Sequence, residues 1–137
     1  MDRLFVDTNV FLRAFVRDVS TQAEAAISLF KKAAEGKVKL ETSDLVIAEI
    51  VWTLESYYEL ERREILAKVL AILNTRGLAV ESRDLLARAA LLYESLQIDF
   101  IDAYNGLWMG EHQLSKVLTF DQKHFKCIAG IEALTPE

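Results

Sequence analysis

The chain has 137 residues, of which 52% are apolar and 27% charged, with a net charge of −5, five glycines, one proline and one cysteine. This composition is typical of a single folded domain, and it excludes a disordered chain and an internal disulfide. The longest apolar run, 45–54, is broken by Glu49 and Thr53 and is too short for a membrane span. The acidic balance also argues against a broad basic face for nucleic acid, although four acids described below account for most of the excess. With a lone cysteine, the expected compartment is the reducing cytoplasm.

The spacing of apolar residues predicts strands that alternate with helices. In chain order the pattern predicts a strand at 4–7, a helical segment at 10–15, a helix capped by Ser20 or Thr21 and ended by Gly36, a strand at 38–41 and a helix from Ser43 to about Tyr58. It then predicts a helix at 62–74, a strand at 77–80, helices that begin at Ser82 and Asp99, and strands at 116–120 and 131–134. This alternation predicts one domain over residues 1–137, with three α/β/α layers and a central parallel sheet of four or five strands.

Four carboxylates lie in apolar segments of the chain, without a Lys or Arg beside them: Asp7, Glu49, Asp102 and Asp121. Asp7 and Asp121 each follow a predicted strand directly. Ligands of open parallel sheets bind beyond the carboxyl ends of the strands, where the strand order reverses. If the first and fourth strands are neighbours there, the two carboxylates face one crevice.

Glu49 is expected to be buried, because Leu45 and Trp52 lie one turn away from it on a helix that is apolar on every side. A carboxylate buried among apolar side chains must be paired, protonated or bound to a metal. The four acids together therefore favour a site for a divalent cation.

Each acid also has a simpler interpretation. Asp7 could cap the following helix, Glu49 could lie on a narrow solvent stripe, and Asp121 could be an ordinary turn residue. Asp99 could be the N-cap of one helix and Asp102 an acid of its first turn, where the helix dipole favours negative charge. For Asp99 the cap is the favoured interpretation over a supporting role at the metal.

The acids form an ordered set of motifs along the chain. The motifs are Asp7-Thr8-Asn9 after the first strand, Glu49 within an apolar helix, Asp102-Ala103 at the start of a later helix, and Thr119-Phe120-Asp121 followed by Phe125. This set resembles the PIN-domain family of metal-dependent ribonucleases, most closely the VapC-like toxins of toxin–antitoxin pairs. One departure is the stretch 111–115, which lacks the Gly that the family often has before the last motif.

The resemblance implies that Asp7, Glu49 and Asp102 are the core acids and that Asp121 completes the site. It implies one or two Mg²⁺ or Mn²⁺ ions, with Asn9 and Thr119 as polar residues near them. It also implies endonucleolytic cleavage of RNA, a homodimer, and a cognate antitoxin that silences the enzyme.

Two arginines are candidates for contact with RNA phosphates. Arg13 and Arg17 follow the first motif with a spacing of four residues, which places them on one helix face, and an ordinary solvated face remains an alternative. The histidines His112 and His124 lie outside the acidic motifs, and surface or packing roles are expected for both.

Two other functions are compatible with the acids. One is a catalytically silent PIN-like module that binds RNA or protein. The other is a phosphohydrolase or phosphoacceptor domain with an Asp at the end of a strand. The second is disfavoured because Asn9 stands where a second acid would be needed, and because 134–136 lacks a Lys at the end of a strand.

Overall fold

A computed structural model describes all 137 residues. Six α-helices, five strands and one 3-10 helix alternate along the chain, which confirms the predicted α/β class. The elements are β1 (Arg3–Phe5), α1 (Thr8–Val16), α2 (Ser20–Ala34), β2 (Lys39–Thr42), α3 (Asp44–Ser56), α4 (Arg62–Leu73), β3 (Leu78–Val80), α5 (Arg83–Ser95), α6 (Phe100–Glu111), β4 (Lys116–Leu118), the 3-10 helix (Phe125–Cys127) and β5 (Glu132–Leu134). No helix combines the length and the apolar character that a membrane span requires.

All strand pairs are parallel, as predicted, but the five strands form two sheets. One sheet has the order β1-β2-β3 and the other pairs β4 with β5. The chain divides into two compact units, residues 1–83 and 84–137, and each unit holds one sheet. Strand pairing depends on hydrogen bonds between distant segments, which the spacing of apolar residues does not encode. The proximity of the first and fourth strands therefore stays a prediction.

The first unit, Met1–Arg83, is built on the three-stranded sheet. In β2, Leu40 is buried while Lys39 is exposed, as the two-residue period of a strand requires. Helix α1 packs against α2 and α3, and α3 packs against α4. Phe11 of α1 is fully buried, and the centroid of its ring lies 5.4 Å from the ring centroid of Phe30 in α2. Apolar burial of this kind supplies most of the stability of the unit.

A glycine allows β3 to approach α2 closely. Gly77 has φ +86°, and a Cβ atom on it would lie 2.4 Å from the carbonyl oxygen of Ala33. No other residue fits this approach, because both the backbone angle and the contact exclude a side chain. Gly36 also has a positive φ, +78°, and its N–H donates to the Ala33 carbonyl at 3.0 Å, which confirms the predicted helix end.

The second unit, Asp84–Glu137, contains α5, α6, the two-stranded sheet and the 3-10 helix. The 3-10 helix contacts both α6 and β5. The rings of Tyr93 and Phe100 are buried and pack edge to face, with their centroids 6.2 Å apart. Gly106 of α6 admits Ile128, whose Cδ1 would lie 2.6 Å from a Cβ atom at that position. This packing places the segment after β4 against α6.

One predicted helix cap is absent and another is present. Helix α2 has Val19 at its N-cap and no side-chain capping bond, so neither Ser20 nor Thr21 caps it. Ser43 does cap α3, since its Oγ accepts a hydrogen bond from the Val46 N–H at 3.3 Å. After α6, Gln113 has φ +56°, a conformation that favours glycine, in the stretch 111–115 that lacks one.

Candidate functional site

Asp7 is separated from β1 by Val6 and directly precedes α1. It occupies the N-cap position, and its carbonyl oxygen accepts a hydrogen bond from the Val10 N–H at 3.1 Å. Its side chain, however, makes no capping bond. The carboxylate is exposed, so the cap interpretation holds for the backbone of Asp7 only.

A buried threonine fixes the backbone just before Asp7. The hydroxyl of Thr42, at the end of β2, donates to the carbonyl oxygen of Val6 at 2.8 Å. The Val6 N–H in turn donates to the Glu41 carbonyl oxygen at 2.8 Å. The carboxyl ends of β1 and β2 are thereby tied together, and Asp7 leaves the sheet at a defined place. Thr42 carries no signal in the sequence, because a buried polar residue in a strand looks like any other alternating residue.

Thr8 connects the first motif to Glu49. It is buried at the start of α1, and its Oγ1 donates a hydrogen bond to Oε1 of Glu49 in α3. Because Thr8 follows Asp7 directly, this bond brings two of the predicted acids to the same part of the first unit. A bond to one carboxylate oxygen restricts the rotation of Glu49 and leaves Oε2 for another ligand.

The expected burial of Glu49 was wrong. The core side of α3 is filled by other apolar residues of the helix, which are Val46, Ile47, Ile50, Val51 and Leu54. The opposite stripe faces solvent: Leu45 is 81% exposed, Trp52 is 66% exposed, and Glu49 between them is exposed. A helix with apolar residues on every side can still bury only the face that meets the core.

Asp102 lies in the first turn of α6 and is half-buried. Its Oδ2 is 2.9 Å from Nδ1 of His124, which precedes the 3-10 helix. The same Nδ1 is 3.2 Å from the backbone nitrogen of Asp99. The expectation that His124 lies apart from the acids was therefore wrong. No local pattern signals this contact, because it joins segments on two different elements.

Asp99 occupies the N-cap position of α6, with its carbonyl oxygen accepting from the Ala103 N–H at 2.9 Å. Its side chain makes no capping bond. The favoured cap interpretation is thus correct for the position of Asp99 but not for its carboxylate, which is exposed at the same helix end as Asp102.

Asp121 is presented by a turn that Thr119 organises. The Asp121 N–H donates to Oγ1 of Thr119 at 3.0 Å, and Oδ1 of Asp121 accepts from the Lys123 N–H at 3.4 Å. Such side-chain bonds are typical of turns that follow a strand. Asp121 is exposed, and the bonds of Thr119 serve this turn.

Arg13 and Arg17 differ in their surroundings. Arg13 donates to Gln22 at 2.6 Å and pairs with Asp18 at 3.3 Å, so its charge is partly compensated. It also lines a groove of about 400 Å³ between α1 and α2, together with Asn9. Arg17 is exposed, and its Nε donates to the Ala14 carbonyl oxygen at 3.3 Å. Arg17 therefore offers the freer guanidinium of the two.

The four acids form no ion pair with Lys or Arg, and His124 is the one basic residue that pairs with any of them. Exposed carboxylate oxygens without cationic partners suit hard ions such as Mg²⁺ or Mn²⁺, whereas zinc prefers His and Cys. Each unit by itself supplies two of the acids. No group of three or more His, Cys, Asp and Glu side chains that could hold an ion is present. An ion shared by three or four of the carboxylates stays a prediction.

The chain is similar to known proteins over nearly its whole length. The family model described as PIN domain matches residues 4–131, a stretch that includes all four acids. A VapC ribonuclease of Aquifex aeolicus (strain VF5) is 28% identical to this chain over 131 residues, which cover 96% of this chain and 95% of the relative. The likeness therefore extends over nearly the full length of both proteins.

Proposed function

This chain belongs to the PIN-domain family, and on that premise we propose that it is a ribonuclease that depends on Mg²⁺ or Mn²⁺. The observation that carries the proposal is the match over residues 4–131 to this family and to a VapC ribonuclease. The absence of Lys or Arg partners for the four acids supports it, since a hydrolase of RNA needs free carboxylate oxygens to bind divalent ions.

In this proposal Asp7, Glu49 and Asp102 hold the principal ion, and Asp121 helps to place a second ion or the attacking water. A bound ion supplies an activated water at neutral pH and neutralises charge on the phosphoryl oxygens. Thr8 restricts the rotation of Glu49 through its hydrogen bond. Thr42 holds the backbone that leads into Asp7.

The proposed substrate is RNA, bound through its phosphates. The exposed Arg17 is the stronger candidate for a phosphate contact, and Arg13 is the weaker because Asp18 already compensates its charge. Asn9 shares the groove with Arg13, and its proposed role is a contact with the substrate or the ion shell. Cleavage is expected to leave a 5′-phosphate and a 3′-hydroxyl, as the resemblance to the family implies.

We also propose that the protein is the toxin of a type II toxin–antitoxin pair in the cytoplasm, and that it forms a homodimer. The relative's description as a VapC ribonuclease supports this assignment. Large apolar side chains on the solvent side of α3 and just after it are suited to a protein partner; they are Leu45, Trp52 and Tyr57. A small adjacent gene that encodes a DNA-binding antitoxin, and a dimer mass in light scattering, are the expected observations.

The decisive test is a nuclease assay with Mg²⁺, Mn²⁺ and EDTA. The wild-type protein should cleave RNA with either ion and lose all activity with EDTA. Asp7→Asn should lower the cleavage rate by at least about 100-fold, because it removes a charged ligand while keeping the fold. Asp2→Asn, a change at another exposed acid near β1, is the matched control and should keep full activity.

Two results would count against the proposal. Full activity in contaminant-free Asp7→Asn would remove Asp7 from the site. Calorimetric binding of Mn²⁺ or RNA without any cleavage would instead favour the silent PIN-like binding module.

A further inference from the structure

His124 and Asp102 make a contact that the proposed function does not use. Nδ1 of His124 lies 2.9 Å from Oδ2 of Asp102, and both side chains are about one quarter exposed. His124 reaches Asp102 from a different element, since it precedes the 3-10 helix while Asp102 lies in α6. The contact is part-buried, where hydrogen bonds to a charged acceptor are strong.

The chemistry of the imidazole decides the direction of this bond. An ionised carboxylate only accepts hydrogen bonds, and a ring nitrogen has one in-plane position, which either carries a proton or a lone pair. The Nδ1–H form can donate to Asp102, whereas a lone pair on Nδ1 would repel the carboxylate. The backbone N–H of Asp99 also points at Nδ1, at 3.2 Å, and it can donate only to the lone-pair form of the ring. The two bonds exclude each other, and the shorter, charge-assisted bond to Asp102 is the stronger one.

Buried neighbours anchor the backbone around His124. The next residue, Phe125, is buried, and so is Ile128 at the end of the 3-10 helix. The 3-10 helix packs against α6, which carries Asp102. The backbone on both sides of the contact is thus anchored. One oxygen of Asp102 is restrained by His124, and the other is left available.

We propose that His124 is a positioning residue: its Nδ1–H fixes the carboxylate of Asp102 so that the second oxygen is presented to the metal ion. This inference rests on the proposed function, in which Asp102 is a metal ligand. Partners of this kind restrict the orientation of a ligand, and their loss typically weakens metal affinity by about 10- to 100-fold.

Three substitutions at His124 distinguish the role of Nδ1 from the role of Nε2. His124→Asn keeps an N–H group at about the position of Nδ1, His124→Gln places its amide near the position of Nε2, and His124→Leu has neither. The affinity for Mn²⁺ is measured by calorimetry, and the RNA cleavage rate is measured as a function of Mn²⁺ concentration. His124→Asn should bind Mn²⁺ within about 3-fold of wild type, whereas His124→Gln and His124→Leu should bind about 10- to 100-fold more weakly. Saturating Mn²⁺ should restore most of the cleavage rate.

The chain offers a matched control in its other histidine. His112 follows α6, and its Nδ1 contacts the Trp108 carbonyl oxygen at 2.8 Å. His112→Gln should leave the Mn²⁺ affinity unchanged. Thermal unfolding checks that each variant is folded, and if His124→Leu is not, the comparison of His124→Asn with His124→Gln carries the test.

The outcomes distinguish this inference from the proposed function. If wild type binds Mn²⁺, Asp102→Asn does not, and His124→Gln and His124→Leu bind as wild type does, the role of His124 is refuted while the nuclease stands. If His124→Gln keeps the affinity and His124→Asn loses it, Nε2 is the working atom and the inference is wrong. If wild type neither binds Mn²⁺ nor cleaves RNA, the proposed function fails and this inference fails with it.

Discussion

The hydroxyl of Thr8 donates a hydrogen bond to Oε1 of Glu49 and so joins the start of α1 to the middle of α3. Thr8 is buried and stands next to Asp7 in the chain. Two acids far apart in sequence are therefore linked through a single side chain. Because Glu49 is exposed, this bond rather than burial restrains its carboxylate.

Replacing Thr8 should weaken metal binding while the protein stays folded. Thr8→Val keeps the shape of the side chain but cannot donate to Glu49, so Mn²⁺ affinity should fall by about 10-fold. Thr8→Ser keeps the hydroxyl and should stay within about 3-fold of wild type. Calorimetry measures both variants. Equal Mn²⁺ affinity of Thr8→Val and wild type would show that the bond has no such role.

Thr42 should matter for stability. Thr42→Val leaves the carbonyl oxygen of Val6 without its side-chain donor in a buried setting, so the free energy of unfolding should fall by about 1–2 kcal/mol. Urea denaturation measures the change. The control is Thr21→Val at an exposed position of α2, which should change the free energy of unfolding by less than about 0.5 kcal/mol. A loss as small at Thr42 as at Thr21 would contradict the expectation.

The two glycines with positive φ in the first unit should respond differently to alanine. Gly36→Ala meets open space, so its cost is the backbone strain alone, about 1 kcal/mol. Gly77→Ala adds a clash with the Ala33 carbonyl oxygen, and the total should reach about 2–4 kcal/mol. Urea or thermal denaturation of both variants gives the difference. A cost at Gly77 no larger than that at Gly36 would mean that β3 can move away from α2.

The stability contributed by Asp18 should disappear in acid. The hydroxyl of Tyr58 donates to Asp18 at 2.7 Å, and this bond, with a smaller effect of the Arg13 charge, lowers the pKa of Asp18 below 3.8. A carboxyl group with a lowered pKa stabilises the folded state above its unfolded pKa, and that contribution is lost as the pH falls through the folded pKa.

Tyr58→Phe should therefore be less stable than wild type at about pH 6, and the difference should shrink at about pH 3. Urea denaturation at both values measures it. Tyr57→Phe, a change at the exposed neighbour, is the control and should show no such pH dependence. A difference between wild type and Tyr58→Phe that stays constant with pH would contradict the role of the Asp18 bond.

The sequence by itself determined the α/β class and the approximate place of each helix and strand. Local spacing suffices for this, because a helix such as α4 repeats its apolar residues every three to four positions and a strand such as β2 alternates them. The glycine end of α2 and the Ser43 cap of α3 were also predictable, since each depends on residues within one turn. The four acids stood out for the same reason, as charges in apolar segments.

Only the tertiary structure decided which groups touch these acids. The bond from Thr8 to Glu49, the bond from Thr42 to Val6 and the contact of His124 with Asp102 all join separate elements. It also decided that the Glu49 stripe of α3 faces solvent and that the five strands form two sheets. Such features depend on how distant segments pack and pair, and residue spacing within one segment carries no information about its partner.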